Sequence, residues 1–393
     1  MNFYDYLTWR GDLTFDRDQF NIVDNLLFAY SAYTDLREVI TTDEPITVHE
    51  AAERFFKLHT EEECLKSGSL IAHAPVVLRR MGESKRFGDL LITDYVREID
   101  EETSTQFSAM HFVIDNRNSY VAFCGTDDTI IGWKEDFQLS YRKVNAQLKA
   151  AEYLNRTADK SFHKYFVGGH SKGGNLAVYG AMEAKDSVKK KIIRIYSNDG
   201  PGISSIAMNE KEFKKIGNRM IKVLPELSVF GMLFDNHEPK IVVKSDKNFL
   251  YEHDAVGWMV SGTDFVRGTL SPDCLVIQDV LNEFLEAMTL EERAELVDQM
   301  YSAFVNAGIE NTTDFTQKGL SAVMKFLKEV THLNENAGKS MEKLLQILGK
   351  MLTERAEGAV KSTVKNVTDA LPDFLKQPLN RNSKAEEEKD EKE

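Results

Sequence analysis

The sequence predicts an α/β architecture: a mostly parallel central sheet flanked by helices, with helical additions at the N- and C-terminal ends. Three observations lead there. Between about residues 91 and 243, short runs rich in β-branched and aromatic residues alternate with amphipathic segments of helical period. One of these runs leads through a glycine-rich turn, Gly168 to Gly174, straight into an apolar-striped helix. The flanking stretches carry helical periodicity and no strand signal. Strands separated by helices of roughly ten to fifteen residues imply a largely parallel sheet with helices on both faces.

Residues from about 18 to 90 read as helical. Apolar side chains at 20, 23, 26, 27 and 30 form a stripe at helical spacing, and further helices are expected near Val48 to Leu58 and Ala74 to Met81. Strand candidates follow at Leu91 to Val96, Gln106 to Ile114 and Tyr120 to Cys124, the last two joined by the polar turn cluster Asp115-Asn116-Arg117-Asn118. A helix over Lys143 to Leu154 precedes a strand at Lys164 to Val167. Then come a helix over Leu176 to Ala184 and strands at Ile192 to Tyr196, Met220 to Leu224 and Lys240 to Val243.

Strand signals vanish after about residue 265. Thr289-Leu290-Glu291-Glu292 is a capping-box sequence opening a helix that ends before Gly308. Amphipathic helices are expected over 314–331 and 339–366. The tail closes with AEEEKDEKE and lacks the apolar surface to order itself. The organisation expected is a catalytic domain over 1–265 that includes the N-terminal helices, a helical region over 266–378 and a charged tail over 379–393.

Composition narrows the function classes. Of 393 residues, 42% are hydrophobic and 28% charged, as in an ordinary folded protein, and the formal net charge is -14. That balance argues against nucleic acid as a partner, because phosphate recognition needs a concentrated basic surface. Three widely spaced cysteines, Cys64, Cys124 and Cys274, suit neither a disulfide framework nor a structural zinc site. The N-terminus has acidic residues early and no apolar core of a signal peptide, and no stretch has the length of a transmembrane helix. The expected address is cytoplasmic.

The chemistry centres on Val167-Gly168-Gly169-His170-Ser171-Lys172-Gly173-Gly174-Asn175. Gly169-x-Ser171-x-Gly173 is the nucleophile-elbow pattern, in which a serine sits on a tight strand-to-helix turn. Side chains two residues before and after the serine would clash with strand or helix backbone, so glycine is required there. An apolar strand, Tyr165-Phe166-Val167, comes immediately before, and Leu176, Ala177, Val178 and Ala181 stripe the helix after. Without function, the same residues would make a glycine-rich helix start that merely packs closely. A second feature is Val121-Ala122-Phe123-Cys124-Gly125-Thr126-Asp127, followed by Trp133-Lys134-Glu135-Asp136. A strand ending in Gly-Thr upstream of an elbow is where a second donor to a tetrahedral oxyanion belongs; the first would be the backbone N–H of Lys172. Thr126 offers a backbone N–H and a hydroxyl, or else simply ends its strand in a turn.

The pairing of V-A-F-x-G-T-D…W-x-x-D with G-H-S-x-G-G-N-L-A resembles the class 3 lipases of the α/β-hydrolase superfamily. More narrowly, it resembles a bacterial family of lipase-like proteins that shares the F-N-x-V-D-N opening at residues 20–25, the GHSKGGN elbow and a later H-D-x-x-x-W. The likeness covers roughly residues 1–262 and implies an α/β-hydrolase fold. One departure is Cys124, where class 3 lipases usually carry arginine; it changes what anchors the oxyanion strand.

α/β-Hydrolases order their triad serine, acid, histidine, so the base follows Ser171. His237, His253 and His332 qualify. His253 is preferred because it lies after the last strand and falls on the H-D-x-x-x-W segment. For the acid, Asp199 stands at the end of the strand after the elbow helix, before a Gly-Pro-Gly turn. Class 3 lipases take their acid after the next strand, where Val223-Leu224-Pro225-Glu226-Leu227-Ser228 holds no aspartate. Asp199 is the first choice, with Glu226 and Asp235 as alternatives, and each of these residues also has a reading as a plain surface or turn residue.

The expected activity is cleavage of a small-molecule or lipid carboxylic ester through an acyl-enzyme, without cofactor or metal. The Lys172 side chain beside the serine would either attract an anionic group or be solvated. The stripe Leu344, Leu345, Ile347, Leu348, Met351 and Leu352 would pack on the main domain, cap the site, join a partner or touch a membrane surface. The oligomeric state stays open. The competing reading is a non-catalytic hydrolase-like binding or interaction protein, which would follow if the missing aspartate marked a decayed triad.

Overall fold

The computed structural model describes residues 1–306 except 67, 68, 70, 128 and 235–237. Contacts divide the chain into two compact units, Met1–Gln278 and a second beginning at Asp279. His237, Asp235, His332, the expected helices over 314–331 and 339–366 and the tail over 379–393 lie outside the described residues.

The first unit is built on one eight-stranded sheet whose spatial order follows the chain: β1 (Ile46–Thr47), β2 (Leu91–Asp100), β3 (Thr105–Val113), β4 (Asn118–Phe123), β5 (Lys164–His170), β6 (Ile192–Asn198), β7 (Met220–Pro225) and β8 (Lys240–Val243). β1 to β4 pair antiparallel, and β4 to β8 pair parallel. This half-meander, half-crossover sheet flanked by helices is the α/β-hydrolase fold that the strand–helix alternation predicts. The Asp115–Asn118 turn closes the β3–β4 hairpin, with Asp115 Oδ1 accepting from the N–H groups of Arg117 and Asn118.

Strand β4 shows how the sheet divides its core. Tyr120 and Ala122 belong to an apolar cluster shared with the N-terminal helices. Val121 and Phe123, pointing the other way by the two-residue period of a strand, join a cluster with the helices Asn145–Ala158 and Lys172–Glu183. Both faces are covered, which is why the parallel strands are nearly continuous in apolar residues.

Two helices and the full length of one strand were among the features not anticipated. The helix Phe3–Arg10 precedes the helical region read from the sequence, with Asn2 as its cap. Helix Ile130–Gln138 follows the Gly-Thr strand end, capped by Thr129. Strand β5 runs on to His170, past the expected end at Val167, because Gly168 and Gly169 pair with Ala122 and Phe123 on one side and Tyr196 and Ser197 on the other. The elbow helix accordingly starts at Lys172, four residues earlier than its apolar stripe indicates.

The F-N-x-V-D-N segment fastens the N-terminal helices beneath the elbow. Phe20 stacks on Phe166 of β5 at 4.2 Å. Asn21 caps helix Ile22–Ser31. Asp24 is fully buried and forms an ion pair with Arg86 at 2.5 Å. Asn25 donates to Asn198 Oδ1 at 2.9 Å and accepts from the Tyr120 hydroxyl at 2.8 Å. Asn198 in turn donates to the Gly169 carbonyl. The end of β6 and the start of the elbow are thus tied to the same helix.

In the second unit, Thr289 and Glu292 make the expected capping box at the start of helix Leu290–Asn306. Phe284, Met288 and Leu296 form its apolar cluster. Among the described residues, no helix is long and apolar enough to cross a membrane.

Candidate active site

Parallel strands deliver their C-terminal ends to one edge, and the turns there carry the chemistry-bearing residues. The turn after β5 holds Ser171 at φ 56° and ψ -132°. A non-glycine residue in that region costs about 1–3 kcal/mol of backbone strain, which the surrounding packing must hold in place. The flanking glycines permit it. A Cβ on Gly169 would lie 2.3 Å from Gly173 C, and one on Gly173 would lie 2.2 Å from Phe123 O. Strand β4, the elbow and the helix therefore meet backbone to backbone.

The turn after β6 holds Asp199, also at positive φ (48°) and fully buried. Its N–H donates to Val223 O on β7 at 2.7 Å, which fixes the carboxylate between these strands. One carboxylate oxygen accepts from the Ser228 hydroxyl. The other lies 2.6 Å from His253 Nδ1. His253 Nε2 lies 3.0 Å from Ser171 Oγ. A carboxylate only accepts, so Nδ1 carries the hydrogen and Nε2 is left to accept the serine proton. Three residues separated by tens of positions thus form one hydrogen-bonded chain. Such an arrangement can activate a serine hydroxyl.

His253 ends a short 3-10 turn, Phe249–His253, and the H-D-x-x-x-W residues around it build its socket. Asp254 caps the next turn through Val256 N–H and accepts from the Tyr30 hydroxyl. Trp258 is fully buried and donates its indole N–H to the Glu252 carbonyl. Phe230 packs against the imidazole at 4.5 Å between ring centroids. Glu226, an alternative acid, faces elsewhere: its carboxylate accepts from Thr269 N–H.

Lys172 and Thr126 sit on either side of the elbow, joined by a buried polar cluster. The Lys172 side chain is 1% exposed, neither solvated nor open to an anionic group as its place beside the serine suggested. Its ammonium lies 2.9 Å from Glu135 Oε2 and 2.7 Å from Gln106 Oε1. Burial works to strip its proton, but Glu135 and then Asp136 outweigh that and hold the ammonium above its usual pKa. Thr126 donates its hydroxyl to Asp136 at 2.5 Å. Burial pushes the Asp136 carboxyl up to about 6 against the pull of Lys172. The Lys172 backbone N–H is among the first four of its helix, which lack intrahelical acceptors. Where class 3 lipases carry arginine, Cys124 is buried, and the guanidinium that reaches this segment is Arg97 from β2, 3.1 Å from Asp127.

Sequence reasoning missed Ser228, Phe230, His170 and Tyr33. Ser228 stands within the segment that lacks the expected aspartate, and its hydroxyl donates to the Asp199 carboxylate. Among the described residues, no cluster of three or more His, Cys, Asp or Glu side chains could hold a metal ion. A cavity of about 660 Å³ opens beside Tyr33, with Phe55, Ile71, Ala72 and Pro75 in its wall and Asp35 and Arg37 at its charged part.

No curated protein matches the chain. Among solved structures, the crystal structure of M37 lipase is similar at 15% identity and a TM-score of 0.31, over 53% of this chain and 68% of that one. The family model described as Mbeg1-like matches residues 81–302, which is more than half of the sequence and spans β2 to β8 with the elbow. The chain therefore belongs to the Mbeg1-like family, a lipase-like family of α/β fold.

Proposed function

We propose that the protein is a serine hydrolase that cleaves carboxylic esters through an acyl-enzyme. The observation that carries this reading is the unbroken Asp199–His253–Ser171 chain, at 2.6 and 3.0 Å, on a strained elbow. Ser171 Oγ attacks the ester carbonyl while His253 Nε2 takes its proton. Asp199 holds the tautomer and balances the imidazolium that forms. The imidazolium then returns the proton to the leaving alkoxide, and the alcohol departs. A water molecule, deprotonated by the same imidazole, attacks the acyl-serine; the acyl–Oγ bond breaks, the imidazolium returns its proton to Ser171 Oγ, and the carboxylic acid departs.

The tetrahedral oxyanion would be met by the backbone N–H groups of Lys172 and Thr126, each worth about two to three orders of magnitude in rate. Lys172 contributes through its backbone, since its side chain is committed to Glu135. The Thr126 hydroxyl donates to Asp136, which leaves its N–H as the donor for the oxyanion.

The test is turnover of p-nitrophenyl esters of graded chain length by wild type and Ser171→Ala. The reading expects hydrolysis by wild type and none above background by the variant. Equal rates in the two proteins would overturn it.

A further inference from the structure

We propose that Tyr33 is a positioning residue for the His253 imidazole, acting through His170 from the N-terminal helical segment. The inference rests on the catalytic reading of Ser171 and His253 and adds to it a residue from outside the stretch that matches the family model.

Tyr33 follows the helix Ile22–Ser31 and is nearly buried. Its hydroxyl lies 2.9 Å from His170 Nδ1 and 3.2 Å from the His170 carbonyl oxygen. On the far side of the same ring, His170 Nε2 lies 2.8 Å from the carbonyl oxygen of His253. A carbonyl can only accept, so Nε2 carries the hydrogen. The neutral ring then has a bare Nδ1 that can only accept, and the Tyr33 O–H is the donor it faces. Burial holds His170 well below its ordinary pKa, in keeping with a neutral ring. The phenol, its one hydrogen shared between Nδ1 and the His170 carbonyl oxygen, thereby supports the tautomer in which His170 holds the backbone of His253.

His170 immediately precedes Ser171. The peptide that presents the nucleophile is therefore also the one that holds the carbonyl of the base, with the two imidazoles 4.7 Å apart. The oxyanion strand meets the same phenol. A Cβ on Gly125 would lie 2.0 Å from the Tyr33 hydroxyl and 2.5 Å from the His170 carbonyl oxygen. Glycine is required there because Tyr33 occupies the space. Elbow, base and oxyanion strand all contact one hydroxyl or its single relay residue.

Removing that hydroxyl frees His170 to change tautomer and release the His253 carbonyl. The imidazole then loses its set on Ser171 Oγ without any change in surfaces that bind substrate. Tyr33→Phe keeps the ring and its packing, and is expected to lower kcat on p-nitrophenyl butyrate by about tenfold or more, with KM little changed. The rate of fluorophosphonate labelling at Ser171 should fall in parallel. Nitrogen NMR of the histidine rings should show the His170 Nε2–H form in wild type and its loss in the variant.

Wild type that labels, with Tyr33→Phe labelling as fast, overturns this inference alone. Wild type that never labels overturns the catalytic reading beneath it. A variant in which KM rises as much as kcat falls, with the His170 tautomer unchanged, assigns Tyr33 a merely structural role and also overturns the inference. Should Tyr33→Phe not fold, His170→Gln against His170→Leu carries the test. Glutamine keeps an N–H toward the His253 carbonyl and must retain more kcat than leucine; equal values contradict the proposal.

Discussion

The ammonium of Lys172 lies 2.9 Å from the carboxylate of Glu135, and both side chains are 1% exposed. The residue after Ser171 is thus anchored inward. Deleting one partner strands the other charge in the interior, at a cost of about 3–5 kcal/mol. Lys172→Met should lower the melting temperature on the order of 10 °C. Adding Glu135→Gln should recover part of that loss, because the stranded carboxylate is gone. Calorimetry of the single and double variants checks this, and a single variant as stable as wild type would contradict it.

The acid assignment has its own test. Asp199→Asn preserves volume but removes the acceptor that fixes the His253 tautomer, and kcat should drop by roughly four orders of magnitude. Glu226→Gln should leave kcat near wild type, since Glu226 accepts from Thr269 N–H and does not reach His253. Steady-state kinetics on one ester decides between them; the reverse ranking would move the acid to Glu226.

Much of this was legible in the sequence, and the reasons differ by element. The parallel strands could be read because burial on both faces leaves continuous apolar runs, as at Tyr165-Phe166-Val167. The elbow could be read because only glycine tolerates backbone contacts of the kind found at Gly169 and Gly173. The two-residue strand β1 and the helix Ile130–Gln138 were not legible, the first too short for a period and the second too mixed in polarity for a stripe. Asp199 was legible as the first choice of acid from its place at a strand end, while its reach to His253 depends on Val223 and Ser228 from a different strand end. Tyr33 carries no motif, and His170 stands in the elbow motif only as the variable position before the serine. Their meaning arises only when the chain brings residue 33 against residue 170.

Acid sensitivity follows from two buried histidines. Burial lowers His111 to about 4 and holds His170 well below its usual 6.5. Both folded pKa values lie below the unfolded value, so the unfolded chain binds more protons in the window between them. Stability is then fully present above pH 6.5 and falls as pH drops toward 4, by roughly 1.4 kcal/mol per pH unit for each histidine. His111→Gln, which can keep a hydrogen bond to Thr157, should flatten that slope by about one proton. Urea titrations across this range measure it, and an unchanged slope would remove His111 from the account.

The most direct measurement is fluorophosphonate labelling followed by peptide mass mapping of the full chain. The account predicts one phosphonyl adduct, on the peptide containing Ser171, absent from Ser171→Ala and strongly slowed in His253→Gln. Folded wild-type protein that takes up no probe, or takes it up on another residue, would contradict the claim that this serine is the nucleophile.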